Sequence, residues 1–494
     1  MGASKGSILT AVLIVAAIIS ATIALILSLI TSGTISLKPR IKYGMVFDAG
    51  SSHTSLFIYQ WPADKENDTG IVSQTDICSV DGPGISGYAS NPPQAGQSLV
   101  KCLDKAMSVI PAENQKETPI YLGATAGMRL LRIQNSTQAD QVLAEVVKTI
   151  TQYPVSFRGA RIITGEEEGS YGWITINYLL QSFAQYSFEG KWMHPQFPYT
   201  YGALDLGGAS TQITFAPNVP IADDSMQYKF RMYSYDYTVY THSYLCYGRD
   251  QGLKRIQAQL IKENAPNVTV THPCYPKGYQ TVVTVGSVYN TPCLEVPNSL
   301  NLLTNITISG TGNADQCRET VRRVFNFSAC AEKKECAFDG VYQPPVSGRF
   351  FAFSAFYYTF SFFNLTTGQT LATVNATIQN HCSQNWSDLK SSYPNEAADR
   401  LRDYCSVANF ILTMLLDAYK FNADNWYTLT FQQKAGNTDI GWTLGYMLNL
   451  TNMIPAEGPP TILGHQYSIW AAAIFFIVFT IALCIVLLLV HIFT

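Results

Sequence analysis

Ala203-Leu-Asp-Leu-Gly-Gly-Ala-Ser-Thr-Gln212 runs from an apolar stretch into an aspartate, two glycines and small hydroxyl residues, and a second apolar run, Ile213-Thr-Phe215, follows it. The pattern predicts strand, tight turn, strand. Glycine tolerates φ > 0 and lets bare backbone N–H groups approach a ligand, while Asp205 at the strand end puts a charge into the same space. A phosphate and its metal need those groups. The pattern recurs in Met45-Val-Phe-Asp-Ala-Gly-Ser-Ser-His-Thr54, followed by Leu56-Phe-Ile-Tyr59, so that Asp48 matches Asp205, Gly50 matches Gly207 and Thr54 matches Thr211. Two copies predict a duplicated domain whose loops face each other across a cleft and hold a polyphosphate from both sides.

The remaining composition sets the class. At 494 residues, 47% hydrophobic and 12% aromatic, the chain can bury two or three cores. A net charge of −3 without a Lys/Arg cluster argues against a nucleic-acid partner. Ile8 to Ile30 carries no charge and exceeds the apolar core of about 7–15 residues expected of a cleavable signal, and the run from about Trp470 to Val490 is similar. Both are expected to span a bilayer as helices, 8–30 and 470–490. Lys5 precedes the first span while Lys38, Arg40 and Lys42 follow it, which by charge alone would place the middle inside. Long domains translocate largely regardless of charge, and other marks favour the secretory side.

Those marks are cysteines and glycosylation signals. Ten of eleven cysteines lie between the spans, and only Cys484 lies within one. An even set with no zinc spacing reads as disulfides in an oxidising compartment. The same region holds Asn-x-Ser/Thr signals at Asn67, Asn135, Asn267, Asn305, Asn326, Asn364, Asn375, Asn385 and Asn449. The expected arrangement is a plasma-membrane protein crossing twice, with both termini cytoplasmic and a glycosylated ectodomain between them.

Along the chain, Tyr121-Leu-Gly-Ala-Thr-Ala-Gly-Met-Arg129 reads as a strand ending in small residues, then a helical stretch through Leu131 and Val142 to Ile150. Arg161-Ile-Ile opens another strand. Thr164 or Gly165 can cap a helix with Tyr171, Ile174 and Tyr178 on one face and Glu166, Glu167 and Glu168 in its first turn. Those carboxylates either complement the helix dipole, or one of them projects into the cleft as a base. From about Gln227 to Thr304 the pattern reads as strands and stapled loops, whose tyrosines fit half-buried strands better than a stacking platform. Helices are expected around Phe351-Ala-Phe-Ser-Ala-Phe-Tyr-Tyr358 and over Glu396 to Tyr419.

Four loops in order, Asp48 to Thr54, Gly123 to Arg129, Thr164 to Gly169 and Asp205 to Gln212, together with Gly441-Trp-Thr-Leu-Gly-Tyr446, look like the apyrase signature regions. From about Tyr43 to Ala456 the chain resembles the ecto-nucleoside triphosphate diphosphohydrolases, or ecto-apyrases, of the vertebrate cell surface. The resemblance implies an α/β fold of two actin-, hexokinase- and heat-shock-ATPase-like lobes between the spans. Lobe I would cover 39–164 and be re-entered over 433–467, and lobe II would cover 165–432. It implies removal of terminal phosphate from extracellular ATP, ADP, UTP and UDP with Ca²⁺ or Mg²⁺. Asp48 and Asp205 would hold that cation, largely through water.

In the same reading Glu168 is the general base, with Thr125, Ser210 and Gln212 positioning water and metal. Ser51, Ser52, His53, Thr54, Ala126, Gly207, Gly208 and Ala209 would line the phosphates, and Tyr358, Arg400 and Arg249 the base and ribose. The implied disulfides are Cys78–Cys102, Cys246–Cys293, Cys274–Cys317, Cys330–Cys336 and Cys382–Cys405. Glu166 departs from the glutamine common in relatives. A kinase-like phosphoryl transferase and a nucleotide-sensing receptor are the alternatives, and the short cytoplasmic ends count against the receptor. Homo-oligomers through the spans are a further expectation.

Overall fold

The computed structural model describes residues 5–30, 33–36, 41–62, 71–183, 185–186, 192–193, 199–232, 235–436, 438–452, 461–464 and 467–493. Contacts divide the chain into two units, one of residues 1–41, 62–64 and 456–494, the other of residues 42–61 and 65–455. In the first, helices Lys5–Leu29 and Tyr467–Phe493 are long and apolar enough to cross a membrane, over Ser7–Leu29 and Tyr467–Ile492. They touch through small and hydroxyl residues: Thr480 Oγ1 donates to Ser20 Oγ at 2.8 Å, and Ser20 Oγ donates to the Phe476 carbonyl at 3.0 Å. Strands Gly33–Ser36 and Thr461–Gly464 pair antiparallel beside them in sequence.

The second unit holds the duplication. One sheet runs Ser73–Ser79, Thr54–Pro62, Ile41–Ala49, Pro119–Ala124, Ser156–Ile162. The other runs Gln227–Met232, Tyr235–Leu245, Ser210–Phe215, Gly202–Leu206, Phe350–Ser354, Leu429–Phe431. In each, the strand carrying the quoted aspartate sits beside its own successor on one flank and beside a parallel strand on the other, which has a second parallel strand outside it. Asp48 and Asp205 each stand one residue before the end of their strand. The repeat read in the sequence is therefore a repeat of topology, and the chain has the two-lobed α/β fold it implies.

Three expectations need correction. Phe350–Ser354 is a strand, and its helix, Ala355–Phe362, begins only at Ala355. An apolar run such as Phe350 to Phe353 fits a strand buried on both faces as well as it fits a helix, and the parallel neighbours decide. The stretch read as strands and loops after Gln227 contains a helix, Arg249–Asn264, whose charged exposed face masked its periodicity. The glycines of the two aspartate loops, Gly50, Gly207 and Gly208, have no positive φ. They are needed for closeness instead: a Cβ on Gly208 would stand 2.6 Å from Ser51 Oγ and 2.7 Å from an Asp250 carboxylate oxygen.

Helix Gly165–Leu179 lies on the second sheet because Gly165 and Gly169 let it settle onto the strand hydroxyls. A Cβ on Gly165 would come within 2.1 Å of Ser243 Cβ, and one on Gly169 within 2.6 Å of Thr214 Oγ1. Helix Trp442–Asn452 packs on the same helix, with the Gly445 N–H donating to Thr175 Oγ1 at 2.8 Å. Five disulfides join Cys78–Cys102, Cys246–Cys293, Cys274–Cys317, Cys330–Cys336 and Cys382–Cys405. Asn135, Asn267, Asn305, Asn326, Asn364 and Asn385 are exposed, Asn375 and Asn449 half-buried, and Asn67 lies outside the described residues. Tyr237 and Tyr240 are buried in sheet cores, so neither is open as a stacking platform.

Candidate active site

Strand register builds the site. Across the second sheet Asp205 lies opposite Gln212, and Gln212 lies opposite Ser243, so the three share a row on the face that receives helix Gly165–Leu179. The glutamates of that helix have separate surroundings. Thr164 Oγ1 accepts from the Glu167 N–H at 3.1 Å while Glu167 accepts from the Thr164 N–H at 2.9 Å, a capping box. Arg161 also holds Glu167, at 2.7 and 2.9 Å. Glu166 is half-buried, and Glu168 is buried on the sheet side.

Glu168 Oε2 accepts a short charged hydrogen bond from Arg129 Nη2 and another from Gln212 Nε2 at 3.1 Å. Gln212 Nε2 also approaches Ser210 Oγ at 2.7 Å and Ser243 Oγ at 3.0 Å. Arg129 reaches Ser210 Oγ and Ser243 Oγ, both at 3.4 Å. Burial pushes the Glu168 carboxyl up, Arg129 pulls it back, and Asp205 and then Glu166 push it up again.

Burial likewise pushes Asp48 up to about 7, offset by the Trp442 indole, whose N–H lies near it without reaching hydrogen-bond geometry, and reinforced by Glu168. It pushes Asp205 up to about 6, offset by the Ser354 side chain and reinforced by Asp48. Three carboxylates in mutual electrostatic reach ask for a cation. Asp48 Oδ1, Asp205 Oδ1 and Gln212 Oε1 are buried without hydrogen-bond partners among the described residues. Unshared hard oxygens of this kind fit a divalent cation such as Ca²⁺ or Mg²⁺, or water bound to it. Among the described residues no three His, Cys, Asp or Glu side chains form a closed metal cage.

The remaining candidates group around this row. Thr125 is buried at the head of helix Ala126–Gln134, its N–H donating to the Ala49 carbonyl at 3.1 Å. Ala126 and Ala209 meet in one small apolar cluster with Leu130, which joins the Gly123 to Arg129 loop to the second aspartate loop. Ser52 and His53 are exposed, with Ser52 Oγ 3.1 Å from His53 Nδ1, and Ser51 faces Gly208. Thr54 is fully buried at the start of its strand. Its counterpart Thr211 donates to the Asp205 carbonyl at 2.8 Å. The Gly207 and Gly208 carbonyls accept from the N–H groups of Arg249 and Asp250, each at 2.8 Å, which ties helix Arg249–Asn264 to the loop.

Tyr358 is 56% exposed, so core packing does not account for it. Arg249 pairs with Asp250 at 3.0 Å and Arg400 with Glu396 at 4.0 Å, and both arginines lower the Tyr404 hydroxyl against the burial that raises it. Four residues escaped the sequence reading of roles: Arg129, Ser243, Trp442 and Ser354. Arg129 and Trp442 lay inside quoted motifs. Ser243 carries no local signal, because only strand register brings it to the row. Ser354 lay inside the quoted aromatic stretch, but as an expected helix residue; it stands one residue past the position paired with Asp205, at the head of helix Ala355–Phe362.

The GDA1/CD39 (nucleoside phosphatase) family matches residues 34–463. Ectonucleoside triphosphate diphosphohydrolase 8 of Gallus gallus is 54% identical over 489 residues, covering 99% of each chain. The Homo sapiens protein of that name is 51% identical over 479 residues, covering 97% of this chain and 96% of its own. Ectonucleoside triphosphate diphosphohydrolase 2 of Mus musculus is 47% identical over 456 residues, 91% and 90% of the two chains. A solved nucleoside triphosphate hydrolase structure from Neospora caninum superposes with a TM-score of 0.57 at 15% identity, over 83% of this chain and 92% of that one, and so shares the fold. A match across both aspartate loops and about half of all residues identical over nearly the whole length place the chain in the GDA1/CD39 (nucleoside phosphatase) family.

Proposed function

We propose that the chain is a membrane-anchored ecto-nucleotidase that hydrolyses extracellular nucleoside tri- and diphosphates, ATP, ADP, UTP and UDP among them, to monophosphate and inorganic phosphate. The observation that carries it is the pair of equivalent aspartates, one per lobe, beside a buried glutamate held by Arg129 and Gln212. The family implies dependence on a divalent cation, here Ca²⁺ or Mg²⁺ held by Asp48 and Asp205 largely through water. When bound, it neutralises phosphate oxygens and polarises the terminal phosphate.

The chain's own residues do the rest. Thr125, Ser210 and Gln212 orient the attacking water. Glu168 takes its proton as the water oxygen bonds to the terminal phosphorus and the bridging oxygen departs with the electron pair of the broken bond. Backbone N–H groups of the loops Ser51 to Thr54 and Gly208 to Ala209, with Ala126, stabilise charge on the phosphoryl oxygens, while the Gly207 N–H donates to the Ser210 carbonyl at 3.0 Å and closes the turn. Lobe I comprises 39–164 with the return 433–467, and lobe II 165–432. Phosphate release from ATP and then ADP without any acceptor, abolished by chelation and restored by Ca²⁺ or Mg²⁺, is the expected result. Nucleotide binding without release would refute hydrolysis.

Tyr358 and Arg400 sandwich the base, with Arg249 near the ribose. Stacking tolerates base identity and contributes about 1–3 kcal/mol. Tyr358→Ala is therefore expected to raise KM for ATP and UTP together, about tenfold, with kcat little changed; unaltered KM for both removes the assignment. The catalytic region faces outside, both termini are cytoplasmic, and the spans provide a surface for homo-oligomers. Intact cells should hydrolyse added ATP, and glycosidase should lower the protein's apparent mass. Activity that appears only after permeabilisation would reverse the topology.

A further inference from the structure

Ser243 was not marked by any motif, yet it sits at the junction of the network. Its hydroxyl accepts from Gln212 Nε2 at 3.0 Å and from Arg129 Nη1 at 3.4 Å, the two side chains that donate to Glu168 Oε2. The register places it directly across from Gln212, and Gly165, three residues before Glu168, rests against its Cβ. No hydrogen bond reaches Glu168 Oε1 among the described residues.

The chemistry of these partners fixes the glutamine amide. A carboxylate only accepts, so Nε2 must face Glu168 with one of its two protons, and the hydroxyls of Ser243 and Ser210 share the other on the same side. Gln212 Oε1 then points away and is left without a partner. Removing one acceptor loosens both the amide orientation and the Arg129 fork.

We propose that Ser243 is a positioning residue for hydrolysis: it holds Gln212 and Arg129 so that both grip one oxygen of Glu168 and leave the other open to take the proton from water. The inference rests on Glu168 being the base. It predicts a loss in the chemical step rather than in nucleotide affinity, since a small misplacement of a reacting group costs rate.

The test is a double-mutant cycle on the full chain in membranes, with Ser243→Ala and Glu168→Gln alone and together, reading kcat and KM for ATP and the melting midpoint. Ser243→Ala should lower kcat about tenfold, leave KM within about twofold and melt close to the parent. Added to Glu168→Gln it should cost nothing further, because the group it positions is gone. Ser243→Cys, which keeps the volume against Gly165 but accepts hydrogen bonds poorly, should lose kcat likewise, and it serves in place of the alanine variant if that one does not fold. An unchanged kcat in Ser243→Ala or Ser243→Cys, or an undiminished further loss on the Glu168→Gln background, overturns the proposal. Full activity in Glu168→Gln alone would remove the base assignment beneath it, whereas a dead Glu168→Gln beside an active Ser243→Ala removes only the role of Ser243.

Discussion

Glu168→Gln is expected to fold, to bind nucleotide and to lose two to four orders of magnitude in kcat, while Glu166→Gln stays near the parent. General-base catalysis is worth about 10²–10⁴-fold, and the amide retains the shape and much of the hydrogen bonding of the carboxylate without its basicity. The structure separates Glu168 from its neighbours on grounds that spacing could not. Glu167 is committed to Thr164 and Arg161, Glu166 lies half-buried, and Glu168 alone is buried against Gln212 and Arg129. A helix-dipole role would cost about 0.3–1 kcal/mol of stability and spare turnover. Steady-state kinetics with both variants decide it: more than about a tenth of parental kcat in Glu168→Gln, or a dead Glu166→Gln, would show the base misassigned.

The second large effect concerns the return segment, and it is structural. A Cβ on Gly445 would stand 1.9 Å from the Tyr171 carbonyl oxygen and 2.7 Å from its carbon. Backbone cannot rotate away as a side chain can, so Gly445→Val must push helix Trp442–Asn452 off helix Gly165–Leu179. That would also break the bond from the Gly445 N–H to Thr175 and displace Trp442 from Asp48 and from Gly123. Overpacking of this kind costs about 1–3 kcal/mol and sometimes more, and a clash with main chain belongs at the upper end. Gly441, four residues earlier in the same motif, has open space where a Cβ would go. Gly441→Ala should leave the melting midpoint of the purified protein almost unchanged and Gly445→Val should lower it by several degrees. Equal midpoints for the two would contradict the packing described.

The aspartate loops were legible because a charge, glycines and hydroxyls recur in one order at two places, and a repeat of local chemistry survives in one dimension. Helix Gly165–Leu179 was legible from its cap and its apolar period. What escaped depends on two segments meeting. Ser243 lies more than seventy residues from Glu168, and neither its type nor its spacing announces the contact. Phe350–Ser354 is apolar at every position before its last, so its periodicity cannot distinguish a buried strand from a helix. The glycines were rightly singled out for the wrong property: Gly208 serves close approach to Ser51 and Asp250, which no backbone-dihedral argument contains.

The central claim is that water held beside Glu168 attacks the terminal phosphorus and not an inner one. Turnover of ATP in oxygen-18 water, with mass analysis of both products, tests it most closely. The account predicts one heavy oxygen in each inorganic phosphate released from the terminal position and none in the nucleotide product. Heavy oxygen in the nucleotide, which would place the attack on the inner phosphorus, would contradict it.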